Sequence, residues 1–213
     1  MKIGMEIPDL VLEFAGLVDG AGGRTYLVGG CVRDGLLGRK PRDLDLEVHA
    51  LEESVVHEIL KTLGTVKEVG RAFGVYKLAG PWGEVDVSLP RRDSESAQRD
   101  PFLGEETATR RRDLTINAML LNPLTGRILD FFGGATDIEN KVLREVDPER
   151  FGDDPLRALR AVRLGATLGF ELSDSLRGHC RQMDLSALPV ERIWVEIDRL
   201  LLEPECPGDG VYQ

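Results

Sequence analysis

Cysteine is scarce in this chain. Cys31, Cys180 and Cys206 are widely spaced and odd in number, which suits neither a disulfide framework nor a zinc-ligand pattern. Histidine is as rare, and His49, His57 and His179 read as structural or solvent-exposed side chains. Long apolar runs are missing, so no segment is predicted to span a membrane. The first residues, Met-Lys-Ile-Gly-Met-Glu, lack the basic and apolar regions of a signal peptide. These absences predict a cytoplasmic protein with no membrane contact and no disulfide partner. An excess of positive charge is lacking as well: the formal net charge of -10 argues against a broad nucleic-acid-binding surface. An RNA partner would have to be gripped by local clusters, and Arg91-Arg92, Arg110-Arg111-Arg112 and Arg157, Arg160, Arg163 supply them.

With 213 residues, 42% of them hydrophobic, the chain can bury one large core or two small ones. Residues 7–19 have helical period and end in the loop Gly20-Ala21-Gly22-Gly23. Thr25–Val28 reads as a short buried strand, Gly29-Gly30 as a turn into a helix ending near Gly38, and Asp43–Val48 as a second strand. Glu52–Leu63 is an amphipathic helix. Val66–Val69, Gly74–Leu78 and Glu84–Leu89 are further strands, the last two joined by a hairpin turn at Ala79–Gly83. Arg91–Thr107 is polar and aperiodic and reads as a mobile loop. Beyond it the pattern is helical apart from short strands near Arg127–Asp130 and Val142–Val146. Asp153–Leu168 and residues 173–183 and 189–203 carry helical periodicity. Strands first and helices second predict an α+β fold. Its sheet domain would span residues 1–146, an all-α segment 147–203 and a tail 204–213.

Asp43 and Asp45, two apart on a strand, point to one face, while Leu44 and Leu46 point into a core. Two carboxylates held this close repel unless a cation lies between them. The pair therefore predicts either a Mg²⁺ site handling phosphates or a solvated surface pair. A third acid for a second metal is Asp86, on a strand between apolar neighbours, with Glu84 on the same face as the alternative. Gly29-Gly30 lets the backbone approach a ligand closely, and the helix start behind it favours an anion. Arg33, three residues on, could add a charged fork to a phosphate; taken alone, a glycine pair is simply a turn. Arg111-Arg112-Asp113-Leu114-Thr115-Ile116-Asn117-Ala118 leads charged groups straight into an apolar helix. That is costly unless they face a ligand or partner charges, so a salt-bridged surface fits as well as a site. Asp154 and Arg157 stand at i and i+3 of the predicted helix, on one face, as an ion pair or a binding pair.

Five motifs occur in order: Tyr26-Leu-Val-Gly-Gly-Cys-Val-Arg-Asp34, Leu37-Gly38, Asp43-Leu-Asp45, Arg111-Arg-Asp-Leu-Thr-Ile-Asn-Ala118, and Asp153-Asp-Pro-Leu-Arg-Ala-Leu-Arg-Ala-Val-Arg163. Together they resemble the class II tRNA nucleotidyltransferase and bacterial poly(A) polymerase family of the polymerase β superfamily. The resemblance runs from about residue 24 to 200. It implies a polymerase β-like head, a mixed or antiparallel sheet with helices, followed by a helical neck. Asp43, Asp45 and Asp86 would then hold two Mg²⁺ ions. Gly29, Gly30 and Arg33 would touch the triphosphate. Arg111, Arg112, Asp113 and Asn117 would line the nucleotide site, with Arg112 at the sugar or phosphate. Residues 91–108 match the family's flexible loop, and Asp130-Phe-Phe-Gly-Gly134 with Asp137 its hinge-like motif. Asp154 and Arg157 match a pair that serves as a protein template for the incoming base, with Arg160 and Arg163 further along the same pocket.

The implied partners are the tRNA 3′ end, CTP and ATP, and the implied reaction is CCA addition by attack of an RNA 3′-hydroxyl on the α-phosphorus. CC-only, A-only or poly(A) synthesis are alternatives inside the family, and a non-catalytic CTP/ATP-binding module is an alternative outside it. The template role has a hydrogen-bond rationale. Cytosine and adenine each present an amino donor beside a ring-nitrogen acceptor, which a carboxylate and a guanidinium complement. Guanine and uracil reverse the order and would leave buried groups unpaired at ~1–3 kcal/mol each. Two mismatches amount to roughly 30- to 10⁴-fold discrimination. The chain departs from the family pattern in Asp153, where relatives carry Glu, and Leu114, where they carry Phe. Relatives also continue past the helix Val190–Ile197 into body and tail helices, so this sequence reads as a head-and-neck piece or a minimal enzyme.

Overall fold

Alternation along residues 44–49 decides how the sheet is faced, because apolar Leu44, Leu46 and Val48 must turn to one side and Asp45, Glu47 and His49 to the other. The computed structural model describes residues 4–64, 66–69, 75–80, 83–92 and 98–203. The chain divides into two compact units, one of residues 1–111 with 117–131, the other of 112–116 with 132–213.

In the first unit the order is α1 (Asp9–Gly20), β1 (Arg24–Val28), α2 (Gly30–Leu36), β2 (Leu44–His49), α3 (Glu53–Leu63), β3 (Val66–Val69), β4 (Val75–Gly80), β5 (Gly83–Ser88), α4 (Glu105–Arg110), β6 (Leu120–Leu121) and β7 (Ile128–Leu129). All seven strands form one sheet in the order β3-β4-β5-β2-β1-β6-β7. Among the described residues of this sheet only the β2–β5 pairing is parallel, so the sheet is mixed. Cross-strand partners share a face. Leu27 pairs with Leu46, Val85 with Leu44 and Leu78, and Val87 with Leu46 and Tyr76. Phe14 and Val18 of α1 and Val56 and Leu60 of α3 are buried with this apolar row. Tyr76 is tied to α3 by its hydroxyl, which donates to Glu53 Oε1 at 2.6 Å, and by stacking on His57. The opposite face carries Asp45, Asp86, Lys77, Glu47 and Tyr26.

In the second unit the elements are α5 (Gly134–Asn140), β8 (Val142–Leu143), α6 (Leu156–Leu168), β9 (Glu171–Leu172), α7 (Asp174–Gln182) and α8 (Val190–Leu202). α6 buries Leu156, Ala158, Ala161, Leu164 and Leu168. Phe151, Leu143, Leu172 and Leu176 are buried as well. Among the described residues no helix is long and apolar enough to cross a membrane.

Several expectations change. Residues 114–119 form no helix: Thr115–Asn117 is a single 3-10 turn and β6 follows. The segment before it pairs like a strand with residues 144–146, through Thr115 N to Arg144 O and Val146 N to Asp113 O. β7 pairs with β6, and β8 runs parallel to β9. Residues 132–146, expected in the sheet domain, therefore group with the helices. The helix expected from Asp153 starts at Leu156, because Pro155 lacks an N–H and sits at its N-terminal boundary. The described flanks of the 91–107 segment are anchored: Asp100 N donates to Pro90 O, Ala50 N to Pro101 O, and α4 occupies residues 105–110. The hairpin residues 81–82, the loop residues 93–97 and the tail 204–213 with Cys206 lie outside the described residues.

Candidate active site

β2 and β5 run side by side in parallel with Asp45 and Asp86 as direct partners. β4 extends the same row, since Lys77 pairs with Asp86 on its other side. Asp45, Asp86 and Lys77 thus stand in one line across three strands. Asp43 precedes β2 by one residue. It lines, with Asp45, Asp86, Glu84 and Lys77, an open cleft of about 1500 Å³. Arg39, Lys40 and Arg42 also line that cleft, as do residues 4–9. The acidic candidates of the sequence are therefore brought together, all within the first unit.

Lys77 Nζ lies 2.9 Å from Asp86 Oδ1 and 3.2 Å from Glu84 Oε2. Hydrogen bonds to Asp86 and then Glu84 outweigh desolvation and hold its ammonium above the ordinary lysine pKa. The donor chemistry fits a hard divalent cation: carboxylate oxygens on neighbouring strands, with an ammonium already standing in at Asp86. Among the described residues, no three Asp, Glu, His or Cys side chains are already gathered to hold a metal ion.

The glycine turn is shaped by a guanidinium. Gly29 has φ 74° and ψ -138°, a conformation closed to other residues. A Cβ on Gly30 would stand 3.3 Å from an Arg33 nitrogen, so the missing side chain leaves room for the Arg33 fork. That fork is held on two sides. Nε donates to Asp34 Oδ1 at 2.8 Å, and Nη1 donates to Asn117 Oδ1 at 2.9 Å. Asn117, expected at the nucleotide, thus orients Arg33.

Glu47 and His49 continue the face of Asp43 and Asp45 into the interior, and both are fully buried. Arg111 Nη2 donates to Glu47 Oε2 at 3.0 Å. His49 faces acceptors with both ring nitrogens, Glu47 Oε1 at 3.0 Å and Leu103 O at 3.2 Å. Arg111 is thereby tied to the strand that carries the aspartates. The period-two run Asp43, Asp45, Glu47, His49 was the signal for this network, and a reading that stopped at the second aspartate missed it.

The remaining candidates lie in the second unit. Asp113 is buried, accepts from Leu114 N at 2.8 Å and takes Arg160 Nη1 at 2.9 Å on its other oxygen. Burial works against the Arg160 charge, but Asp113 and Glu196 outweigh it and raise the pKa above the usual arginine value. Arg112 belongs to this unit too. Asp154 stands ahead of α6 in extended conformation, so it does not share a helix face with Arg157. Its Oδ1 accepts from Leu156 N at 3.1 Å and its Oδ2 from Arg192 at 2.9 Å. Arg157 is buried, and its Nη1 donates to Arg150 O at 2.7 Å. Arg163 points under α8, donating to Glu196 at 2.7 Å and Glu203 at 2.9 Å, which makes it a strut between helices. Gly134 abuts Thr115, whose carbonyl a Cβ there would strike. Asp137 accepts from the Thr115 hydroxyl and pairs with Arg144.

Known proteins resemble this chain in sequence and in fold. The profile of the poly A polymerase head domain matches residues 25–144. The multifunctional CCA protein of Xylella fastidiosa is 38% identical over 191 residues, covering 84% of this chain and 44% of that protein. The CCA-adding enzyme of Streptococcus gordonii is 35% identical over 198 residues, covering 88% and 48%. A crystal structure of a tRNA nucleotidyltransferase complexed with a primer tRNA and an incoming ATP analog superposes with a TM-score of 0.81 at 30% identity, covering 93% of this chain and 58% of that one. The chain spans about half the length of the relatives it matches.

Proposed function

The chain belongs to the poly A polymerase head domain family, and from that premise we propose that it transfers nucleotides from CTP and ATP to the 3′ end of tRNA, building the CCA terminus. The observation that carries this reading is the register of β2 on β5, which sets Asp45 directly opposite Asp86 in a cleft shared with Asp43. Relatives named for CCA addition support the choice of product, and solved relatives bound to tRNA and nucleotide support the choice of partners.

In this reading Asp43, Asp45 and Asp86 hold Mg²⁺ ions. When bound, such ions lower the pKa of the attacking RNA hydroxyl and offset charge on departing pyrophosphate. Arg33, fixed by Asp34 and Asn117, orients the triphosphate beside the Gly29-Gly30 turn. Arg112 contacts the sugar or phosphate region, and Arg111, held by Glu47, lines the nucleotide site. Asp154 and Arg157 read the base, with Arg160 and Asp113 supporting them. The carboxylates bind metal and need no histidine base. His49 is committed to Glu47 and Leu103.

The deciding experiment incubates the protein with tRNA lacking its 3′ CCA and each labelled nucleoside triphosphate, resolving products by length. The expected result is that C and A are incorporated and G and U are not, and that Asp43→Ala or Asp45→Ala abolishes incorporation with the circular dichroism spectrum unchanged. Nucleotide binding without primer extension at any protein concentration would instead identify a binding module.

A further inference from the structure

A row that sets Asp45 against Asp86 places like charges opposite each other, an arrangement that destabilises a sheet. The next residue in that row is Lys77, whose ammonium is bonded to Asp86 Oδ1 at 2.9 Å. Its second acceptor is Glu84, two residues from Asp86 on the same face of β5, at 3.2 Å. All three side chains are partly exposed, so the ion pair is weak and readily exchanged. Lys77 therefore has somewhere to go: if Asp86 turns to another cation, the ammonium keeps Glu84.

We propose that Lys77 is a tethered counter-ion of the carboxylate row, occupying Asp86 until a divalent cation displaces it and so setting the affinity of the site for that cation. The inference rests on reading Asp43, Asp45 and Asp86 as cation ligands, and it adds a positioning residue that lies outside every motif of the sequence. Lys77 holds the row together when no divalent ion is present. When one is bound, Lys77 retreats to Glu84 and remains a positive charge nearby. Removing it should tighten cation binding by roughly tenfold, the effect of one unit charge about 5 Å from a divalent ion in water-like surroundings.

The test titrates Mn²⁺ into the full chain and measures free ion by electron paramagnetic resonance. The proteins compared are the wild type, Lys77→Met, Lys77→Arg and Asp45→Asn, with circular dichroism checking each fold and Lys77→Ala replacing Lys77→Met if that variant does not fold. The expected results are Mn²⁺ bound by the wild type, bound about tenfold tighter by Lys77→Met, bound as in the wild type by Lys77→Arg, and lost in Asp45→Asn. In EDTA the Lys77→Met protein should melt below the wild type, and added Mn²⁺ should raise its Tm further than it raises the wild type's. If the wild type binds Mn²⁺ through Asp45 and Lys77→Met binds it no more tightly, the counter-ion proposal is wrong while the metal reading stands. If the wild type binds none, or Asp45→Asn binds undiminished, both fall together.

Discussion

Asp154 combines contacts seen in the structure with a proposed role that substitution can separate from them. Its Oδ1 accepts from Leu156 N at the start of α6 and its Oδ2 from Arg192, while the proposed function also asks it to read a base. Asp154→Asn retains an oxygen for the helix start but presents an amide to the nucleotide. It should relax base choice in misincorporation assays with little change in Tm. Asp154→Ala should relax base choice and also cost about 1 kcal/mol of stability in urea denaturation, the usual cost of losing such an acceptor. Selectivity unchanged in both variants would remove Asp154 from base recognition. Cys180 offers a second test. Desolvation by burial, with Glu145 nearby, pushes its thiol up to about 11, and only the thiolate reacts readily. Iodoacetamide labelling of Cys180, followed by peptide mass mapping, should stay slow at pH 8 and accelerate only as the pH approaches that value.

At the level of elements, local patterning was legible in the sequence and long-range pairing was not. The strands of the first unit were legible because Leu44, Leu46 and Val48, and Val85 and Val87, alternate with charged residues. Their partner order was not legible, since period-two patterning is silent about which strand lies beside which, and the parallel β2–β5 pair joins segments with α3, β3 and β4 between them. The Asp-Leu-Asp segment was found by its spacing. Glu47 was overlooked, and His49 was read only as structural or solvent-exposed, because a buried carboxylate looks like surface in a sequence until its partner, here Arg111 more than sixty residues away, is known. The placement of Asp154 on a helix was an error of reading: Pro155 is a common first-turn residue, and it marks a helix start that leaves its predecessor outside. Gly134 gives a prediction at this scale. A Cβ there meets the Thr115 carbonyl and the Ile116 backbone, rigid atoms that cannot turn aside. Gly134→Ala should lose about 1–3 kcal/mol, read from the urea midpoint, whereas Gly16→Ala in α1, where nothing lies within 4 Å, should be neutral or slightly stabilising.

Taken whole, the molecule has an uneven distribution of charge that matters more than its sum. A chain of net charge -10 repels RNA at long range, so the proposed contact with tRNA would fall to local arginines, several of which are already engaged. Arg160 is on Asp113, Arg163 on Glu196 and Glu203, and Arg111 on Glu47. The two compact units are also not consecutive in sequence. Residues 112–116 leave the first for the second, where Asp113 O and Thr115 N bond Val146 and Arg144, and residue 117 returns. A version ending at residue 131 deprives those groups of their partners. It should therefore be cut by trypsin at Arg111 or Arg112 far faster than the full chain, with the rates compared on a gel time course.

The backbone passes between its two units three times, after residues 111, 116 and 131. Lacing of this kind makes the lobes inseparable as cassettes. A chimera that takes one lobe from a homologue has to import the five-residue stitch along with it, and a hybrid joined at a single seam inherits a mismatched thread through its middle.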